Sequence, residues 1–102
     1  MAAEHIQEVL QYELRTYQVG IQVNQTKDCL TVVINRPRDA QVNYSELTEA
    51  IVTKLKGWNL EVEKFKILGR IDKQPKPEWQ QVFNNPHAKG GGLLGLFGGK
   101  GK

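Results

Sequence analysis

Apolar residues follow two rhythms along this 102-residue chain, and each change of rhythm marks an element. From Ala2 to about Gln18, residues Ile6, Val9, Leu10, Leu14 and Tyr17 recur at spacings of three and four, with Glu4, Glu8, Glu13 and Arg15 between them. That spacing predicts an amphipathic helix. Gly20 lies near its end, and Val19, Ile21 and Val23 then alternate with polar neighbours, as a half-buried strand does. Gln25-Thr26-Lys27-Asp28 is short and polar enough for a hairpin connection. Cys29 to Asn35 is β-branched and apolar almost throughout, which predicts the central strand of a sheet.

Arg36-Pro37-Arg38-Asp39 ends that strand, because proline offers no amide hydrogen and restricts the residue before it. A helix with start and stop signals follows. Asn43 is placed to cap it, with Glu46 as the other half of a capping box and Val42 and Leu47 at staple positions. Leu47, Ala50, Ile51, Leu55 and Trp58 form its apolar stripe, and Gly57 stands where a left-handed C-terminal cap needs glycine. A third strand over about Glu61 to Ile71 turns Phe65, Ile67 and Ile71 to one face and Lys64, Lys66, Leu68 and Arg70 to the other. Val62, of opposite parity to Phe65, either precedes it or marks a bulge. Pro75 to Phe83 reads as a short helix or turn, with Pro77 at a first helical position and Trp79 and Phe83 one turn apart.

The order α-β-β-α-β-α(short) predicts an α+β two-layer sandwich. Its three-stranded mixed sheet would join the first two strands as a hairpin and the second and third in parallel through a right-handed crossover, with the helices mainly on one face. The other face would show Gln22, Asn24, Thr31, Val33, Asn35, Lys64, Lys66, Leu68 and Arg70, either solvated or as a partner surface. One domain over residues 1–88 and a flexible glycine-rich tail over 89–102 complete the expected organisation.

Composition adds limits. An apolar fraction of 39% and a charged fraction of 25% are ordinary for a soluble protein and exclude wholesale disorder over residues 1–88. The lone Cys29 has no internal disulfide partner and is expected to be a small buried hydrophobe, which fits a reducing cytosol. The N-terminus has no signal-peptide pattern, and no stretch approaches the roughly 20 apolar residues of a membrane span. A cytoplasmic protein, at most peripheral to a membrane, is expected.

The formal charge of +3 is not spread evenly. With Lys89, Lys100 and Lys102 set aside, Lys and Arg together match the 11 acidic residues, so the basic excess belongs to the tail. The tail also carries Leu93, Leu94, Leu96 and Phe97 on a glycine-rich tether, an apolar contact for a protein or membrane surface. Lys100 and Lys102 would favour an anionic membrane.

Few residues suggest chemistry. No nucleophile elbow, phosphate loop or dinucleotide fingerprint occurs, and His5 with Glu8 falls short of a zinc ligand set. No catalytic, cofactor-binding or metal-binding residue is assigned, no cofactor is expected, and the chain is read as a non-enzyme. Parallel strands end on one edge, however, so Arg36, Arg38, Arg70 and Lys73 are expected to form a basic rim there, partly neutralised by Asp39 and Asp72. The rim is either a site for a small anion, phosphate or acidic peptide, or a set of exposed salt bridges of little individual value. A one-sided arrangement of Lys64, Lys66, Arg70, Arg36 and Arg38 would instead suit nucleic acid. The element order is loosely similar to small KH-type RNA-binding domains, but the Gly-x-x-Gly letters occur only in the tail and not between two helices.

The stretch Leu30-Thr31-Val32-Val33-Ile34-Asn35-Arg36-Pro37, the capped helix, Lys66-Ile67-Leu68-Gly69-Arg70, and Pro77-Glu78-Trp79-Gln80-Gln81-Val82-Phe83 together resemble a small domain of uncharacterised cyanobacterial proteins. The resemblance covers roughly residues 5–84, and its most distinctive part is the Gly-Arg pair followed by proline and tryptophan. It implies a non-catalytic adaptor or binding module and carries no catalytic residues with it. The expected function is therefore a non-catalytic protein-interaction module, with a nucleic-acid-binding domain as the alternative; partner identity and oligomeric state are left open.

Overall fold

In the computed structural model, which describes residues 2–58 and 60–85, the chain runs α1 (Ala3–Glu13), a 3-10 turn (Arg15–Tyr17), β1 (Gly20–Gln25), β2 (Cys29–Arg36), α2 (Tyr44–Lys56), β3 (Lys64–Ile71) and β4 (Trp79–Asn84). The tail over residues 89–102, including Leu93, Leu94, Leu96 and Phe97, lies outside the described residues. The four strands form one sheet in the order β1-β2-β3-β4, antiparallel at both outer pairs and parallel between β2 and β3. The architecture is thus α+β with a mixed sheet, but of four strands rather than three.

The fourth strand replaces the short helix expected around Trp79 and Phe83. Residues four apart share a face in a helix and in a strand alike, so those two aromatics fit both periods. Two aromatics and a β-branched valine favour the strand, and β3 offers a free edge whose ladder bonds an isolated short helix would forgo. Phe83 pairs with Phe65 and Trp79 with Gly69 in that ladder.

Helix α1 ends sooner than its periodicity suggests. The last turn tightens to 3-10, and Gln18, with φ of 59°, takes the left-handed position that turns the chain into β1. Helix α2 starts where expected, with the Asn43 side chain accepting a hydrogen bond from the Glu46 amide at 3.1 Å. The Glu46 carboxylate is engaged by the Tyr17 hydroxyl at 2.7 Å, tying the helix to the turn after α1. Gly57 is right-handed at φ −78°, so the helix closes without the left-handed cap its glycine suggested. The α2 face against the core contains Thr48 and Val52 where Ala50 was expected; Ala50 is exposed.

One face of the sheet carries the core. Ile21, Val23, Leu30, Val32, Ile34, Phe65 and Ile67 point into it and meet Ile6 and Leu10 of α1 and Leu47, Ile51 and Leu55 of α2. Val62 precedes β3 and is buried with them. Complete burial of such side chains stabilises by about 1.5–3 kcal/mol each before conformational entropy is set against it. Buried Asn85 fastens the end of β4, its Nδ2 donating to the carbonyls of Leu60 at 2.7 Å and Val62 at 2.6 Å.

The outer edge of β1 is closed by side chains. Gln11 accepts from the Ile21 amide and donates to the Val19 carbonyl, both at 2.8 Å, and Gln7 accepts from the Val23 amide at 2.9 Å. Four helical residues advance about 6 Å and two strand residues about 6.7 Å, so amides four apart on α1 match alternate amides of β1.

Candidate functional site

The C-terminal ends of the parallel strands meet as topology requires, with the Asp72 amide donating to the Arg36 carbonyl at 2.8 Å. The side chains there do not form one basic rim. Arg36 continues the parity of Ile34 and turns to the helix side, whereas Arg70 continues that of Leu68 and turns to the open side. Arg38 is exposed in the loop after β2, and Lys73 is exposed in the turn after β3, left-handed at φ 70°.

On the helix side, Arg36 is fully engaged. Its Nε and Nη2 donate to both carboxylate oxygens of Glu78, the second at 3.2 Å, and Nη1 donates to the carbonyls of Pro37 at 3.0 Å and Ala40 at 2.8 Å. The Tyr44 hydroxyl donates to the same carboxylate. The Glu78 carboxyl is accordingly held below the usual range, first by the hydrogen bond from Arg36 and then by that from Tyr44, while the Arg36 guanidinium is pushed up by Glu78. Tyr44 is pushed up to about 12, first by burial and then by its bond to Glu78. Its ring stacks on Trp79 at 5.8 Å between centroids, and the Trp79 indole donates to Thr48 Oγ1 at 3.2 Å. These groups border a depression of about 270 Å³ lined by Arg36, Gln41, Val42, Tyr44 and Glu78. Because its charges answer one another, this cluster braces the loop from Pro37 to Ala40 and the entry to β4.

The open face is different. Register sets Gln22, Val33, Leu68 and Gln80 in one row, Asn24, Thr31, Lys66 and Val82 in the next, Asn35 beside Arg70 beyond one end, and Cys29, Lys64 and Asn84 beyond the other. Arg70 Nε donates to Asn35 Oδ1 and Nη2 to Gln22 Oε1 at 3.0 Å, while Asn35 Nδ2 donates to Gln22 Oε1 at 3.1 Å. Neutral amides fix the guanidinium without cancelling its charge. Lys64 and Lys66 form no ion pair among the described residues, and no strand contains an acidic residue. Cys29 is half-buried on this face, its Sγ 3.8 Å from Thr31 Oγ1, instead of lying in the core. Val33 and Leu68 pair across β2 and β3 and are half-buried on the face opposite α1 and α2.

Residue by residue, Lys64, Lys66 and Arg70 share the open face, Arg36 faces away from it, and Arg38 and Lys73 lie in flanking loops. Gln22 and Asn35 were legible as face residues, but their hold on Arg70 was not. Glu78 was missed as the partner of Arg36, and Tyr44 as the second donor to Glu78; these contacts span 42 and 34 residues, beyond the reach of any local pattern. No protein family, no curated protein and no solved structure matches this chain.

Proposed function

We propose that the domain is a non-catalytic binding module whose open sheet face receives an acidic protein surface. The observation that carries this is the face itself: three cations, Lys64, Lys66 and Arg70, no acidic residue within its strands, and an apolar pair, Val33 and Leu68, among neutral amides. Arg70 is oriented in advance by Asn35 and Gln22, so less side-chain freedom is lost on pairing with a carboxylate. Nucleic acid is the less favoured partner, because the face has no aromatic ring for base stacking and the 11 acids of the sequence balance the basic residues outside the tail. Leu93, Leu94, Leu96 and Phe97 supply a second, apolar contact in the same reading.

Titration of the isotopically labelled full chain with poly-glutamate and, separately, with an oligouridylate tests the assignment. Amide shifts confined to Gln22, Thr31, Lys66, Leu68 and Arg70, lost on Lys66→Glu and weakened on Arg70→Met, are expected with poly-glutamate. No shift at low salt, or shifts on the helices, would overturn it. Tighter binding of the oligouridylate to the same residues would move the function to nucleic acid.

A further inference from the structure

The two edges of the sheet are treated unequally. Gln7 and Gln11 close β1, whereas among the described residues no element outside the sheet hydrogen-bonds to the outer side of β4. The Asn85 amide donates to the Glu63 carbonyl at 2.9 Å, and antiparallel bonding alternates at every second residue. Trp79, Gln81 and Phe83 therefore turn their main-chain groups to β3, and Gln80, Val82 and Asn84 turn theirs outward. Trp79–Asn84 contains no charge and no proline, the usual protections of an exposed edge.

We propose that β4 pairs antiparallel with β4 of a second copy of this chain, about a two-fold axis through Val82. In that register Val82 exchanges both main-chain hydrogen bonds with its own counterpart, and Gln80 lies opposite Asn84 of the second copy. Each match is one the strand makes with itself, which is what a closed two-fold interface requires. Val82, 49% exposed and one of two large exposed hydrophobic residues described, gains an apolar neighbour directly across the ladder. Gln80 and Asn84 place amide against amide, and no like charges oppose one another. On the helix side, a groove of about 410 Å³ between α2 and β4 leaves room for Gln81 and Phe83 of the incoming strand. The two open faces then join as one surface, with Lys66 of each copy three strand spacings apart, about 14 Å. The dimer stands or falls separately from the acidic partner, since it uses the edge of β4 and not the face.

Sedimentation velocity of the full chain over a wide concentration range reads the outcome. A concentration-dependent dimer is expected, converted to monomer by Val82→Lys, which sets like charges across the axis, and by Val82→Pro. The outward amide of Val82 makes no bond to β3, so both variants should keep the native circular dichroism. Mixing Val82→Lys with Val82→Glu should restore the dimer in a salt-sensitive way. A chain that stays monomeric throughout, or a dimer unchanged in Val82→Lys, overturns the proposal. Slow hydrogen exchange at the Val82 amide under monomeric conditions also overturns it, because the edge would then be covered within one chain.

Discussion

A Cβ placed on Gly69 would lie 2.3 Å from Cε1 of Tyr44, so the tyrosine ring occupies the space a side chain would need. Tyr44 is held there from its other sides by Trp79, which pairs with Gly69 across the ladder, and by Glu78. Gly69 and the later Glu78-Trp79 of the sequence are thus two halves of one seat for Tyr44. Gly69→Ala should destabilise the fold by about 1–3 kcal/mol through overpacking. Denaturant unfolding checks the loss, and Tyr44→Ala in the same chain should recover part of it.

The brace around Glu78 makes stability depend on pH at both ends. A carboxyl held below its unfolded value contributes stability that is present above that value and lost as pH falls through the lower one. A hydroxyl raised from 10.0 to about 12 contributes stability that is complete below pH 10 and lost as pH rises towards 12. Thermal melts should therefore show an acid limb flattened by Glu78→Gln and an alkaline limb reduced by Tyr44→Phe. Tyr17, raised chiefly by its bond to Glu46, adds to the alkaline limb, so Tyr17→Phe should reduce it further.

Gln11 substitutes for a missing strand beside β1. Gln11→Ala leaves the Ile21 amide and the Val19 carbonyl without their partner, at a cost of about 1–3 kcal/mol. Hydrogen exchange should accelerate at Ile21 while amides on β3 keep their protection relative to global stability. Equal acceleration at both would show that the edge is not separately fastened.

Asn85 donates to two carbonyls from a buried position. Asn85→Ala should cost about 1–3 kcal/mol, and Asn85→Asp more at neutral pH, because a carboxylate would face two acceptors. Denaturation midpoints should rank wild type above Ala above Asp, with Asp recovering as the pH is lowered.

Much of the fold was legible because local period and burial coincide. Ile21 and Val23, then Leu30, Val32 and Ile34, and Phe65 with Ile67 all face the core, so residue parity assigned the faces of three strands. The open face, with Lys64, Lys66 and Arg70 together, followed from the same parity. Where two periods agree, as for Trp79 and Phe83, sequence could not choose between strand and helix. The basic rim failed for a related reason: Arg36 and Arg70 meet through adjacent strands, but their positions in the ladder differ by one residue, and one residue reverses the side.

From sequence alone came the amphipathic faces, the Asn43 cap and the hairpin at Thr26, because each depends on residues a few positions apart. Tertiary structure alone decided that β4 is a strand, that Glu78 neutralises Arg36 across 42 residues while neutral amides hold Arg70, and that among the described residues the outer edge of β1 is bonded by side chains and that of β4 is not. Those outcomes depend on which groups distant in the chain come within about 3 Å, the range over which a hydrogen bond acts.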